Sequence, residues 1–196
     1  MNMMHGNRST ALVVAAILLP SVAAAHPGHD VTSGLLYGLG HPVGGIDHLL
    51  AMLAVGVIAA QAGGRSLWML PIAFVGMMLM GGLFAFSGIA LPMVETAIQL
   101  SLIAFGVLIA MGFKLPVLSA SVLTALFGLF HGHAHGMEHA AQVSATSYMI
   151  GFAVSTAALH LAGIGIGRRL QSMPAPLYKL LGGVTVSTGL ALAMLS

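Results

Sequence analysis

The chain has 196 residues, of which 58% are hydrophobic and only 5% carry a formal charge. Soluble globular domains carry charge on about a quarter of their residues, so this composition excludes an ordinary soluble domain. The chain contains no cysteine, which excludes disulfides and thiolate metal sites. Imidazole, carboxylate and thioether groups remain as metal ligands. Six basic against four acidic residues give no indication of a nucleic-acid partner, and we expect none.

The first 25 residues have the pattern of a secretory signal peptide. Arg8 supplies the positive region, Ala11–Leu19 forms the apolar core, and small residues precede a cleavage point after Ala25. Cleavage would leave residues 26–196 as one membrane domain whose N-terminus lies outside the cytoplasm. An uncleaved anchor helix is the alternative.

Apolar stretches follow one another along nearly the whole remaining chain. About 20 apolar residues suffice for one helix to cross a bilayer, and turn-forming or basic residues separate these stretches. The sequence therefore predicts an all-α integral membrane protein with six transmembrane helices. The predicted spans are Gly34–Ala60, Leu67–Phe86, Pro92–Gly112, Pro116–His135, Ala145–Gly167 and Leu177–Leu195.

The placement of charge tests this topology independently. With the N-terminus outside, the connections after spans one, three and five face the cytoplasm. These connections and the adjoining span ends hold all basic residues of the mature chain, which are Arg65, Lys114, Arg168, Arg169 and Lys179. This distribution obeys the positive-inside rule. It predicts a multi-pass protein of the bacterial inner (cytoplasmic) membrane with both mature termini in the periplasm.

A first polar cluster, HPVGGIDH, interrupts the first span. Pro42 lacks a backbone N–H and disfavours a helical backbone conformation in the residue before it. We therefore expect a broken or late-starting helix with His41 at its beginning. In a continuous helix His41 and His48 would lie about 10 Å apart along the axis, too far to bind one ion unless a break folds His41 back. Asp47 offers an oxygen ligand or an acceptor that orients the imidazole of His48. Local capping and hydrogen bonds to backbone carbonyls are the alternative.

A second cluster, FHGHAHGMEH, lies at the end of the fourth span. His131, His135 and Glu138 share one helix face because their spacings are four and three residues. His139 extends that face, whereas His133 points elsewhere. The fourth span runs outward, so this cluster lies at the level where the first cluster enters the membrane. A water-exposed, histidine-rich helix end is the alternative.

Ionisable groups inside membrane spans are costly unless they are paired, solvated or bound to a cation, so they are functional candidates by default. The two clusters together predict a divalent-metal site. Its expected ligands are His41, Asp47, His48, His131, His135 and Glu138. Two further groups carry a weaker signal: Glu95 at the outer start of the third span, and His160 deep in the fifth.

Taken together, these residues resemble the HupE/UreJ family of nickel and cobalt transporters. His41, Asp47 and His48 match the family's first-helix pattern of His, five residues and Asp-His. Residues 130–138 match its fourth-helix pattern Phe-His-Gly-x-Ala-His-Gly-x-Glu, with His133 at a variable position. The resemblance covers the whole mature chain. It implies uptake of Ni²⁺, or of Co²⁺ in some members, toward the cytoplasm for metalloenzymes such as hydrogenase or urease.

The residues by themselves leave three functional classes open. We expect a transporter, not an enzyme, whose only bound group is the transported ion. A membrane-embedded metal-dependent hydrolase with Glu138 as general base and a bis-histidine haem protein are the alternatives. The expected partners are a divalent transition-metal ion and the lipid bilayer, and homo-oligomer formation is left open. No Walker A glycine loop is present, so coupling to ATP would need another chain.

Overall fold

A computed structural model describes residues 31–138, 144–174 and 176–195, with side chains from residue 34 onward. All regular elements in these ranges are helical, as predicted. They are α1 (Val31–Gly40), a 3-10 helix (His41–Val43), α2 (Ile46–Ala62), α3 (Ser66–Phe86), α4 (Val94–Met111), α5 (Val117–Glu138), α6 (Ala145–Gln171) and α7 (Pro176–Leu195). The predicted signal peptide and His139 lie outside the described residues.

Five of these helices, α3 to α7, are long and apolar enough to cross a membrane, and the bent pair of α1 and α2 makes a sixth span if counted as one. The six predicted spans therefore reappear with ends shifted by a few residues. One shift matters for the site, because α5 continues past the predicted end at His135 to Glu138. All three predicted ligands of the second cluster thus belong to one helix.

The first span is broken at the predicted place. Pro42 lies in the first turn of the 3-10 helix, and Gly45 precedes α2 in an extended conformation. The segment Gly34–Val43 and α2 meet at an angle of 80°. A proline supplies no backbone N–H and cannot continue a regular helix. The bend therefore turns His41 back toward His48 and removes the separation that a continuous helix would impose.

Close approaches at glycine set the pairing of the helices. A Cβ atom at Gly132 on α5 would collide with the carbonyl oxygen of Met78 on α3, and one at Gly128 would lie 2.5 Å from the carbonyl oxygen of Phe74. The contacts advance together along both helices, so α3 and α5 run parallel. Small residues allow such backbone contact inside a bilayer.

The other pairs follow the same logic. On α2, Gly56 packs against the carbonyl oxygen of His160 on α6. On α4, Gly106 packs against Gly182 near the start of α7, whereas Gly189 near its end packs against Gln99. The last pair is therefore antiparallel. These directions are those of six spans that cross alternately, with spans two and four parallel and spans three and six opposed.

The outward faces of the helices are apolar. On α5, Leu118, Val122 and Leu126 form a stripe with exposures of 72%, 60% and 50%. Monomeric soluble proteins rarely expose a continuous apolar surface of this kind, whereas lipid tails cover it. The opposite stripe of α5 is buried and carries His131 and His135. The helix thus presents apolar groups to lipid and imidazoles to the interior of the bundle.

Charge is segregated between the two ends of the bundle. A cavity of about 680 Å³ at one end is lined by Asp47, Glu95 and Glu138 among other residues. A second cavity of about 410 Å³ is lined by Lys114 and Lys179. Because Glu95 begins α4 and Lys114 follows its end, the two cavities lie at opposite ends of the bundle.

Candidate metal site

The acidic cavity brings the two sequence clusters together. His41, Asp47 and His48 line it from the broken first span, and His135 and Glu138 line it from α5. The sixth predicted ligand, His131, lies behind them with no exposed surface. All six predicted residues therefore belong to one contiguous region formed by the broken first span and α5.

The outermost part of this region is a carboxylate between two imidazoles. The Nε2–H of His41 donates to Oε2 of Glu138 over 2.9 Å. The Nδ1 atom of His135 lies 3.3 Å from the same oxygen. Within the part of the chain that the structure describes, these three residues form the group whose potential ligand atoms all lie within 4.8 Å of one another. They are the set closest to the spacing that a single bound ion needs.

The imidazoles continue inward as a row of ring contacts. The ring centroid of His135 lies 4.8 Å from that of His41 and 4.0 Å from that of His48. His48 in turn lies 4.8 Å from His131. His41 and His48, seven positions apart in sequence, thus both contact His135. This arrangement depends on the bend between the 3-10 helix and α2.

Asp47 fixes the orientation of His48. Its Oδ1 accepts hydrogen bonds from the backbone N–H and from the ring Nδ1–H of His48, both over 2.8 Å. Since Nδ1 carries the proton, the lone pair of the neutral ring is on Nε2. That Nε2 atom is buried and has no hydrogen-bond partner among the described residues. A carboxylate that holds the far nitrogen of a metal-binding histidine is a common arrangement in metal sites.

Ser101 on α4 orients His131 in a similar way. The hydroxyl donates to the carbonyl oxygen of Ile98 over 2.6 Å, so its oxygen is free to accept from the Nε2–H of His131 over 3.0 Å. A hydroxyl has one proton to give. The lone pair of His131 is therefore on Nδ1, which is buried without a partner in the described part of the chain. The sequence interpretation missed Ser101. Its position as a polar residue inside an apolar span could have revealed it.

His133 is separate from the row, as its helical position predicted. It is 4% exposed, and its Nε2 lies 2.9 Å from the carbonyl oxygen of Ile89 and 3.3 Å from the backbone nitrogen of Leu91. Both partners belong to the connection between α3 and α4, so His133 ties this connection to α5 in either tautomer. Glu95 lines the acidic cavity, and His160 is fully buried beyond His131.

Aromatic rings form one wall of the site. The ring centroid of Phe152 lies 4.1 Å from that of His135, and the ring centroids of Tyr37 and Tyr148 lie 5.4 and 5.6 Å from that of His41. Tyr148 and Phe152 are fully buried and cover the histidines on the side of α6, whereas Tyr37 lines the cavity. This wall could not be predicted from the sequence, because aromatic residues in apolar spans are also ordinary packing residues.

Chemically, the region offers imidazole nitrogens next to carboxylates. Imidazole suits nickel, cobalt, zinc and copper, so the donor set fits a divalent transition metal without choosing among these ions. The lone pairs of His48 and His131 lie on nitrogens that no described residue engages. Leaving such atoms unsatisfied in a protein interior costs about 1 to 3 kcal/mol each. A bound cation would remove this cost.

Comparisons with known proteins agree with the motifs. Residues 14–192 match the family model described as HupE / UreJ protein. The chain is 43% identical over 180 residues to Protein HupE of Rhizobium leguminosarum bv. viciae, an alignment that covers 91% of this chain and 94% of that protein. No solved structure matches the chain. The chain therefore belongs to the HupE/UreJ family.

Proposed function

We propose that this protein is a secondary transporter that takes up Ni²⁺ or Co²⁺ across the bacterial cytoplasmic membrane. The proposal agrees with the family, which is known for nickel and cobalt transport. The observation that carries it is the row of four contacting imidazoles, which begins at an open acidic cavity and continues into the buried interior. A purely structural role would not need several buried ring nitrogens without partners.

In this proposal the six residues have different roles. His41, His135 and Glu138 form the entry position at the cavity, where an ion takes the place of the Nε2 proton that His41 donates to Glu138, and this proton leaves to the solvent of the cavity. His48 Nε2 and His131 Nδ1 supply the inner ligands. Asp47 is an orienting acceptor for His48, because its Oδ1 already receives two hydrogen bonds from that residue.

The charge distribution supports the direction of entry. A cavity that carries the carboxylates of Asp47, Glu95 and Glu138 raises the local concentration of cations. We assign this end to the periplasm, because the basic residues beside the other cavity belong on the cytoplasmic side by the positive-inside rule. Both mature termini are then periplasmic. Facilitated diffusion or coupling to another ion would drive the uptake.

Initial uptake of radioactive nickel into proteoliposomes tests this function. His131→Ala should abolish uptake at low metal concentration, because it removes the innermost ring of the row. His133→Gln is the matched control, since it changes a buried histidine two positions away on the same helix and keeps a donor for the Ile89 carbonyl. It should leave uptake close to that of the unaltered protein.

Equal uptake by the His131→Ala and unaltered proteins would contradict the proposed site. The hydrolase alternative makes a different prediction, namely turnover that chelators abolish without any metal flux into sealed vesicles. Metal accumulation in vesicles under conditions without a hydrolysable substrate favours transport.

A further inference from the structure

His160 on α6 is a buried imidazole that the proposed entry site does not use. Its side chain has no exposed surface, and neither ring nitrogen has a hydrogen-bond partner among the described residues. Its ring makes a T-shaped contact with Phe74, with centroids 5.2 Å apart. Such a contact can engage at most the single N–H of a neutral imidazole. The lone pair of the other nitrogen is then without a donor, which is costly in a protein interior.

The surroundings place His160 just beyond the end of the histidine row. Phe74 contacts the ring of His131 as well, with centroids 5.5 Å apart. One turn before His160 on α6, the hydroxyl of Thr156 lies 3.4 Å from the sulfur of Met52 and 3.6 Å from that of Met78. The thioether of Met52 from α2, the thioether of Met78 from α3 and the hydroxyl of Thr156 from α6 therefore meet about one turn of α6 nearer the acidic end than His160.

His160 also lies between the two cavities. The acidic cavity reaches His48 and His135, and the basic cavity at the other end reaches Gln171 on α6. Eleven residues of helix separate His160 from Gln171, which is about 16 Å. An ion that leaves the histidine row toward the cytoplasm must pass this closed part of the bundle, where Gly56 packs against the backbone of His160.

We propose that His160 is a second, inner metal-binding position on the transport path. The ion exchanges a coordination bond to His131 for one to the free nitrogen of His160, and the sulfur atoms of Met52 and Met78 line the passage between them. No covalent bond of the protein changes and no redox partner is needed. This inference rests on the proposed transport function and adds a step to it.

A pair of nearly equal-sized substitutions tests whether His160 acts as a ligand. His160→Ser and His160→Cys differ in the presence of a metal-binding sulfur. In proteoliposomes of the full-length protein, His160→Ser should slow nickel uptake at least about tenfold, the lower end of the losses seen when metal sites are altered. Its equilibrium Ni²⁺ binding should remain close to normal, because the entry residues are unchanged, and this retained binding demonstrates a folded protein.

His160→Cys supplies a direct spectroscopic readout. Because the natural chain has no cysteine, a thiolate-to-metal charge-transfer band after addition of Cd²⁺ or Co²⁺ can come only from position 160. We expect this band in His160→Cys and its loss when His131→Ala is added. Ala120→Cys, a buried position in the apolar core of the bundle, is the control and should give no band.

The outcomes separate this inference from the proposed function. If unaltered protein takes up nickel and His160→Ser does so equally fast, or if no band appears in His160→Cys, the inner position is wrong and the transport function stands. An equal band in Ala120→Cys would also overturn it. If the unaltered protein takes up neither nickel nor cobalt, the transport function fails and the inner position fails with it.

Discussion

His48 and His135 lie face to edge with their ring centroids 4.0 Å apart, although they come from different spans and different sequence motifs. His48 belongs to α2 and His135 to α5. An ion that binds both rings therefore joins the broken first span to the fourth. In the proposed transporter, a movement that separates α2 from α5 would pull these two ligands apart and so release the ion.

The hydrogen bonds of Asp47 predict that Asp47→Asn weakens metal binding without unfolding the protein. The amide cannot supply the charged acceptor that holds the proton on Nδ1 of His48. Loss of such an orienting partner typically costs about 10-fold to 100-fold in metal affinity. Equilibrium binding of Ni²⁺ to the purified protein measures the effect. Glu95→Gln is the matched control, since Glu95 lines the same cavity, and its loss should be much smaller. Equal effects would mean that only the cavity's charge matters.

The contact between Ser101 and His131 predicts a loss of function in Ser101→Ala. Without the hydroxyl, the Nε2–H of His131 has no acceptor, and the alternative tautomer places a proton on the nitrogen proposed to bind the ion. A penalty of about 1 to 3 kcal/mol corresponds to a loss of roughly 5-fold to 160-fold in affinity. Ser121→Ala removes a buried hydroxyl on α5 that has no hydrogen-bond partner among the described residues, so it should bind Ni²⁺ normally. Normal binding by Ser101→Ala would show that the tautomer of His131 is not fixed by Ser101.

The shared oxygen of Glu138 predicts that His41→Gln and Glu138→Gln are not additive. Both residues belong to the entry position, so either substitution should remove most of its affinity, and the double substitution should add little. Initial nickel uptake at low concentration is measured for the unaltered protein, the two single variants and the double variant. The departure of the double variant from the product of the two single effects gives the coupling between His41 and Glu138. A parallel cycle of His41→Gln with Glu95→Gln should be close to additive. If the effects of His41→Gln and Glu138→Gln on uptake were fully additive, the two residues would act in separate steps of transport.

The close packing of α3 and α5 predicts that Gly132→Ala destabilises the fold. The added Cβ would collide with the carbonyl oxygen of Met78, and overpacking of this kind costs about 1 to 3 kcal/mol. Gly76→Ala on α3 meets no atom within 4 Å and should be tolerated. Thermal unfolding of the two purified variants in detergent measures the difference. Equal melting temperatures would mean that the helices can move apart without cost.

The predicted signal peptide leads to a further expectation. Cleavage after Ala25 would make His26 the first residue of the mature protein, with a free amine beside an imidazole. N-terminal sequencing of protein purified from membranes checks this directly. A sequence that begins at Met1 would favour the uncleaved anchor helix.

The sequence by itself determined the spans and showed which of them carry the two polar clusters. Apolar length sets which segments can cross a bilayer, and Pro42 alone sufficed to predict the break in the first span, because its missing N–H is a local property. The spacing of His131, His135 and Glu138 sets their common face on a helix. The alternation of spans then places both clusters at the same end of the bundle.

Only the tertiary structure decided which groups meet. Helical periodicity fixes neighbours within a helix but not which faces of different helices pack together. That choice follows from the close approach at Gly132 and Gly56 and from the 80° bend at the first cluster. These contacts bring His135 against both His41 and His48, whereas the hydrogen bond between His131 and Ser101 depends on how α4 packs against α5. Such contacts depend on the summed packing of distant segments, and no local pattern in the chain encodes them.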